Sequence, residues 1–163
     1  MGSVAVFVAT AVALLLVLAL GGSLPDPAPS HFGVDGRADA YMSRHAFVWL
    51  MGTLVTLVPT LTWWLVARSA RRGTANIPNA QYWFGPEHGE GTRQYLSGLA
   101  SFLGVLLAAF LGYDFWVLVH STANGSAGAT LDMPLFLGGL GVFLALTIGS
   151  AVVVQRHFGR TGG

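Results

Sequence analysis

Four apolar stretches dominate this 163-residue chain, and almost nothing charged interrupts them. They run over residues 3–22, 47–67, 95–120 and 133–154. A helix that crosses the hydrocarbon core of a bilayer needs about 20 residues, and each stretch meets that length. Asp114 is the one charged side chain inside them. An amphipathic helix of a soluble bundle keeps a polar face along its length; these stretches keep none. Charged residues make up 9% of the chain, against roughly 25% in a soluble domain, too few to clothe a water-facing surface. The expected architecture is an all-α membrane protein. A single domain, residues 1–163, holds four transmembrane helices in a bundle.

The same composition narrows the chemistry. With no cysteine, disulfides, thiolate zinc sites, iron–sulfur clusters and cysteine nucleophiles drop out. All eight basic residues are arginine, so lysine Schiff-base chemistry drops out too. The net charge of +1 gives no field for nucleic acid, and none is expected as a partner. No glycine-rich phosphate loop and no serine nucleophile elbow is present, and no cofactor is expected. Asn124-Gly-Ser matches a glycosylation sequon.

Arginine distribution gives the orientation, because cytoplasmic loops carry the excess of basic residues. Arg68, Arg71, Arg72 and Arg93 lie between spans two and three, and Arg156 and Arg160 follow span four. Arg37 and Arg44 lie between spans one and two. Both termini and the 68–94 loop are therefore expected in the cytoplasm, and the 23–46 and 121–132 segments outside. Trp63 and Trp64, just before Arg68, suit the inner aromatic belt. The first span lacks a basic leader and no small-x-small cleavage site follows it, so it reads as a retained helix rather than a signal peptide.

Lipid is as apolar as leucine, so helices in it associate through close backbone approach. Small residues recur at four-residue spacing in Ala5/Ala9/Ala13, in Gly52/Thr56/Thr60, in Ala100/Gly104/Ala108/Gly112 and in Gly141/Ala145/Gly149. All four stripes are expected to be packing seams, and Pro59 is expected to kink the second span.

The outer loop, residues 24–45, reads LPDPAPSHFGVDGRADAYMSRH. Pro25, Pro27 and Pro29 forbid helix and favour an extended segment, and Gly33 and Gly36 allow tight turns. Rigid prolines mixed with placed polar groups predict an ordered loop, and ordered exposed loops tend to carry function. The string resembles the signature of a bacterial membrane domain of unknown function that also forms the N-terminal part of SdpI-type immunity and signalling proteins. Pro29, His31, Phe32, Gly36, Asp39, Tyr41, Ser43 and Arg44 carry the resemblance. Gly33 and Ala40 stand where that family often has Asn and Gly. Residues 77–96, IPNAQYWFGPEHGEGTRQYL, resemble a second segment of some members. The resemblance implies a multi-pass fold in the bacterial inner membrane.

Several side chains are candidates for chemistry. His31 and Asp39 are expected to bond the loop's own backbone and lock its turns. The alternative is that His31, His45 and His120, with Asp35, Asp39 and Asp132, supply metal ligands. Asp114 is expected to pair with Arg37 or Arg44 of the outer loop, Arg44 being the better placed because it lies three residues before span two begins at Phe47, at the depth of the end of span three. Glu87, His88 and Glu90 read as the acidic start of a helix, with Pro86 in its first turn and Thr92 as an alternative cap. Tyr82, Trp83 and Phe84 read as an interfacial aromatic anchor. Asn79, Tyr82, Trp83, Pro86 and Glu87 are the candidate docking residues for a cytoplasmic partner. The expected function is a non-enzymatic membrane protein whose outer loop senses or blocks a ligand such as a peptide. The alternatives are an accessory subunit of a larger membrane complex and a metal-binding membrane protein or enzyme.

Overall fold

In a computed structural model, the structure describes residues 2–122 and 129–159. Arg160 and the Asn124 sequon lie outside these residues. Four helices are long and apolar enough to cross a membrane. They are α1 (Gly2–Leu20), α2 (Arg44–Arg72), α4 (Gly89–Thr122) and α5 (Met133–Gly159), with a one-turn helix α3 (Ala80–Trp83) between the second and third. They cover the four expected spans, α2, α4 and α5 extending beyond them and α1 ending two residues short.

One departure from the all-α expectation lies between α1 and α2. The 24–45 loop forms an antiparallel hairpin of β1 (Ala28–Phe32) and β2 (Ala38–Met42). The prolines that forbid helix leave the chain extended, and an extended chain with a tight turn satisfies its backbone groups by pairing with itself.

Local chemistry sets the helix ends. Ser43 caps α2, its hydroxyl accepting from the Ala46 N–H at 3.3 Å. Gly73 ends α2 in the left-handed region, φ 67°. The Gly73 and Thr74 N–H groups return to the carbonyls of Ala70 and Ser69, the paired bonding of a Schellman end. Asp132 caps α5, accepting from the Leu135 N–H at 3.1 Å, and is thereby occupied structurally. At α4 the expectation holds in part, with Glu90 in the first turn. The helix begins at Gly89, so Pro86 lies in the preceding turn rather than the first helical turn. Thr92 is already inside the helix and buried, its hydroxyl donating to the Trp83 carbonyl at 2.8 Å.

Helices α1, α2 and α4 each pack on the other two, and α5 packs on α4. In α4 the expected seam is real, with Ala100, Gly104, Ala108 and Gly112 all buried. A Cβ on Gly104 would meet Val6 at 3.0 Å and Trp63 at 3.2 Å. Two of the other stripes require correction. The buried face of α1 is Val6, Thr10, Ala13 and Val17, while Ala5 is exposed and Ala9 half-buried. Gly141, Ala145 and Gly149 of α5 are exposed. Helix α5 meets α4 through Gly139 instead, which presses on the Tyr113 ring. Small residues permit close approach but do not select which face is used.

Two apolar cores fill the ends of the bundle. One joins Ala13, Val17, Phe47, Phe115 and Leu118 under the hairpin, with Leu24 and Ala28 as its lid. The other joins Ala70, Ile77, Leu96 and Phe158 at the opposite end.

Candidate functional site

The hairpin is held on every side except its outer surface. Leu24, Ala28 and Pro29 are buried, and Phe32 and Met42 pack onto the core below. At the turn, the Gly33 N–H donates to the Arg37 carbonyl at 2.8 Å and the Gly36 N–H to the Gly33 carbonyl at 2.9 Å. Gly36 takes φ 76°, a region where a side chain is strained. The Asp35 carboxylate accepts from the Arg37 N–H at 3.1 Å, a local turn device of short acidic side chains. The segment before α5 then pairs along β2. The Ala38 N–H donates to the Ala129 carbonyl at 3.0 Å, and the Leu131 N–H to the Gly36 carbonyl at 2.8 Å.

On this frame His31 Nδ1 and Asp39 Oδ1 meet at 2.5 Å across the strands. The expectation that each would bond the loop's backbone is corrected: the register shifts between His31–Ala40 and Phe32–Ala38, and this bulge, with Asp39 between the paired residues of β2, lets its carboxylate reach the imidazole. Their side chains are 69% and 55% exposed, so the pair adds little to stability. What it does is orient the imidazole. With Nδ1 against the carboxylate, the Nε2 edge is directed away from Asp39. Tyr41 is exposed on β2, beside this pair.

Arg44 is placed differently from expectation. Its guanidinium donates to the carbonyls of Leu24 at 3.1 Å and Gly22 at 3.4 Å, and its backbone N–H donates to Asp26 Oδ1 at 3.1 Å. The carbonyls that follow α1 have no helical partner and carry partial negative charge, and they attract the cation. Asp114 is left half-buried, with one carboxylate oxygen shielded and without a hydrogen-bond partner among the described residues.

The candidate metal ligands do not converge. His45 borders a groove between α1 and α2, and His120 stacks on Trp116. Among the described residues, no group of three or more His, Asp or Glu gathers to hold an ion.

At the opposite end, the 77–96 segment grips α5. Asn79, left-handed at φ 52°, donates from Nδ2 to the Phe158 carbonyl at 3.3 Å. Trp83 Nε1 donates to the same oxygen at 2.9 Å. Two side chains thereby satisfy a carbonyl that the end of α5 leaves free. The Phe158 ring is fully buried against Trp83 and Tyr95, His157 stacks on Tyr95, and Tyr82 bonds His88 at 3.3 Å. Of the candidate docking residues, Tyr82, Pro86 and Glu87 are exposed, while Asn79, itself exposed, and the half-buried Trp83 are engaged with the Phe158 carbonyl. Sequence reasoning missed His157 and Phe158, which carry no motif. It also missed the hairpin's pairing with 129–131, because strand partners so distant in sequence leave no periodic trace.

Residues 8–56, which hold most of α1, the whole hairpin and the first half of α2, match the model of a domain of unknown function (DUF1648). No curated protein and no solved structure matches the chain. The match contains His31, Asp39 and Arg44 and stops short of the 77–96 segment.

Proposed function

We propose that this chain is a non-enzymatic protein of the bacterial inner membrane, and that its hairpin recognises an extracytoplasmic ligand, most simply a peptide, in a sensing or immunity role like that of SdpI-type proteins. The observation that carries this reading is the His31–Asp39 pair, an oriented imidazole and carboxylate on the open face of a hairpin whose other face is buried. Residues kept for stability alone belong where burial amplifies their bonds; this pair sits where a ligand reaches it. The arginine division supports the orientation. Arg68, Arg71, Arg72, Arg93 and Arg156 lie at the end away from the hairpin, which carries Arg37 and leads into Arg44.

The test compares His31→Ala and Asp39→Ala with the parent, expressed in a bacterium challenged with peptide-containing supernatants of competing strains. The expected result is protection by the parent, loss of protection by both variants, and melting temperatures in detergent unchanged for all three. Lower melting temperatures together with unchanged protection would return the pair to a structural role.

A second reading, an accessory subunit of a larger complex, is favoured by α5. Its Gly141, Ala145 and Gly149 face outward, and small residues are what close helix partners in lipid use. Purification in mild detergent distinguishes the two, since a stoichiometric companion chain supports the subunit reading.

A further inference from the structure

Helix α5 is fastened at its two ends and scarcely packed between them. Phe158, at its last turn, is its one buried residue. Along its middle it meets α4 through stacked Phe110 and Phe143, beside an open apolar groove of about 390 Å³ lined by Leu106, Ala109, Tyr113 and Val142. The ends are different. Near the hairpin, Tyr113 Oη donates to the Leu135 carbonyl at 2.7 Å, and the Asp132 N–H donates to Ser121 Oγ at 2.9 Å. The residues leading into α5 also bond the hairpin turn itself, through Leu131 to Gly36 and Ala38 to Ala129. A Cβ on Gly36 would meet Met133 Cγ, in the first turn of α5, at 3.1 Å. At the far end, Asn79 and Trp83 hold the Phe158 carbonyl.

We propose that α5 is a transmission rod, carrying displacement of the hairpin turn across the membrane to the Asn79–Trp83 loop. A helix of 27 residues spans about 40 Å and is stiff over that length. Where its flank is apolar in apolar surroundings, exchanging a protein contact for a lipid contact changes the free energy little. Tilting or sliding the middle of α5 is therefore cheap compared with moving α1, α2 or α4, whose seams are buried. The costly terms sit at the ends, in hydrogen bonds to the hairpin turn and to the far loop. A force on one end is relieved least expensively by moving the whole rod, so it arrives at the other. The coupling is reciprocal, as any equilibrium coupling between two sites must be. It operates whatever the hairpin's ligand is.

The test needs no ligand and so can fail independently of the proposed function. The full chain is placed in lipid nanodiscs and its amide hydrogen exchange read by peptide. Gly36→Ala strains the hairpin end, and Trp83→Phe removes the donor at the far end. Gly36→Ala is expected to speed exchange at least tenfold over 77–84 and 154–159. Trp83→Phe is expected to do the same over 36–38 and 129–135. Both should leave α4 between 96 and 112 unchanged. Tyr113→Phe, which removes one hydroxyl, repeats the first arm if Gly36→Ala does not fold. Exchange that rises only at the altered end in each variant would overturn the proposal. So would a uniform rise that includes α4, since that reports loss of stability instead of coupling.

Discussion

Arg44 and Asp114 differ in how completely their charges are answered. Arg44 donates to Leu24 and Gly22 from its side chain and to Asp26 from its backbone, and hydrogen bonds to charged groups contribute about 1.5–3 kcal/mol each. Arg44→Gln should therefore lower the melting temperature in detergent by several degrees. Asp114 has an oxygen shielded from solvent with no partner among the described residues. A charged residue inside a span is expensive when unanswered. Asp114→Asn keeps the shape and discards the charge, so it should leave the melting temperature unchanged or raise it. Because the Arg44 side chain bonds the Leu24 and Gly22 carbonyls and not Asp114, the double variant should equal the sum of the singles. A coupling energy above about 0.5 kcal/mol, the ordinary limit of additivity, would show that they meet after all.

At the scale of the element, two glycines of α5 make opposite predictions. A Cβ on Gly139 would fall 2.1 Å from the Tyr113 ring, so Gly139→Ala must push α5 away from α4. Overpacking of this kind costs about 1–3 kcal/mol. Gly141 has nothing within 4 Å of its would-be Cβ, and alanine is the better helix former by roughly 1 kcal/mol. Gly141→Ala should be neutral or stabilising in a thermal melt of the solubilised monomer. A loss at Gly141 as large as at Gly139 would mean that another chain occupies the open face of α5, which is the subunit reading. The hairpin is the element whose form was least foreseen. Its prolines and glycines announced an extended, turning segment, but its register depends on Phe32 and Met42 both reaching the core.

The whole molecule has two unlike ends, and the absence of cysteine makes their placement in the cell easy to measure. Val34, at the hairpin turn, and Gln155, near the end of α5, are both exposed. Val34→Cys should react with a membrane-impermeant maleimide in intact cells, and Gln155→Cys should react only after the membrane is opened. The reverse pattern would invert the topology that the arginines give. The aromatic and arginine-rich end would then face outward, and the hairpin could not meet an extracytoplasmic ligand.

The sequence by itself determined the spans, because a bilayer demands about 20 apolar residues per helix and four runs of that length leave few alternatives. It determined the α4 seam, and it marked the 24–45 loop as ordered, since proline and glycine act on their own backbone. Tertiary structure decided the rest, because partners distant in sequence are chosen by packing. Arg44 went to carbonyls after α1 instead of to Asp114. His31 found Asp39 through a strand register that no local rule states. Asn79 and Trp83 closed on an α5 carbonyl some 75–79 residues away. The α5 stripe turned outward although it matched the α4 stripe in spacing, because a helix can bury only the face its neighbour meets, and Tyr113 fixed that face at Gly139.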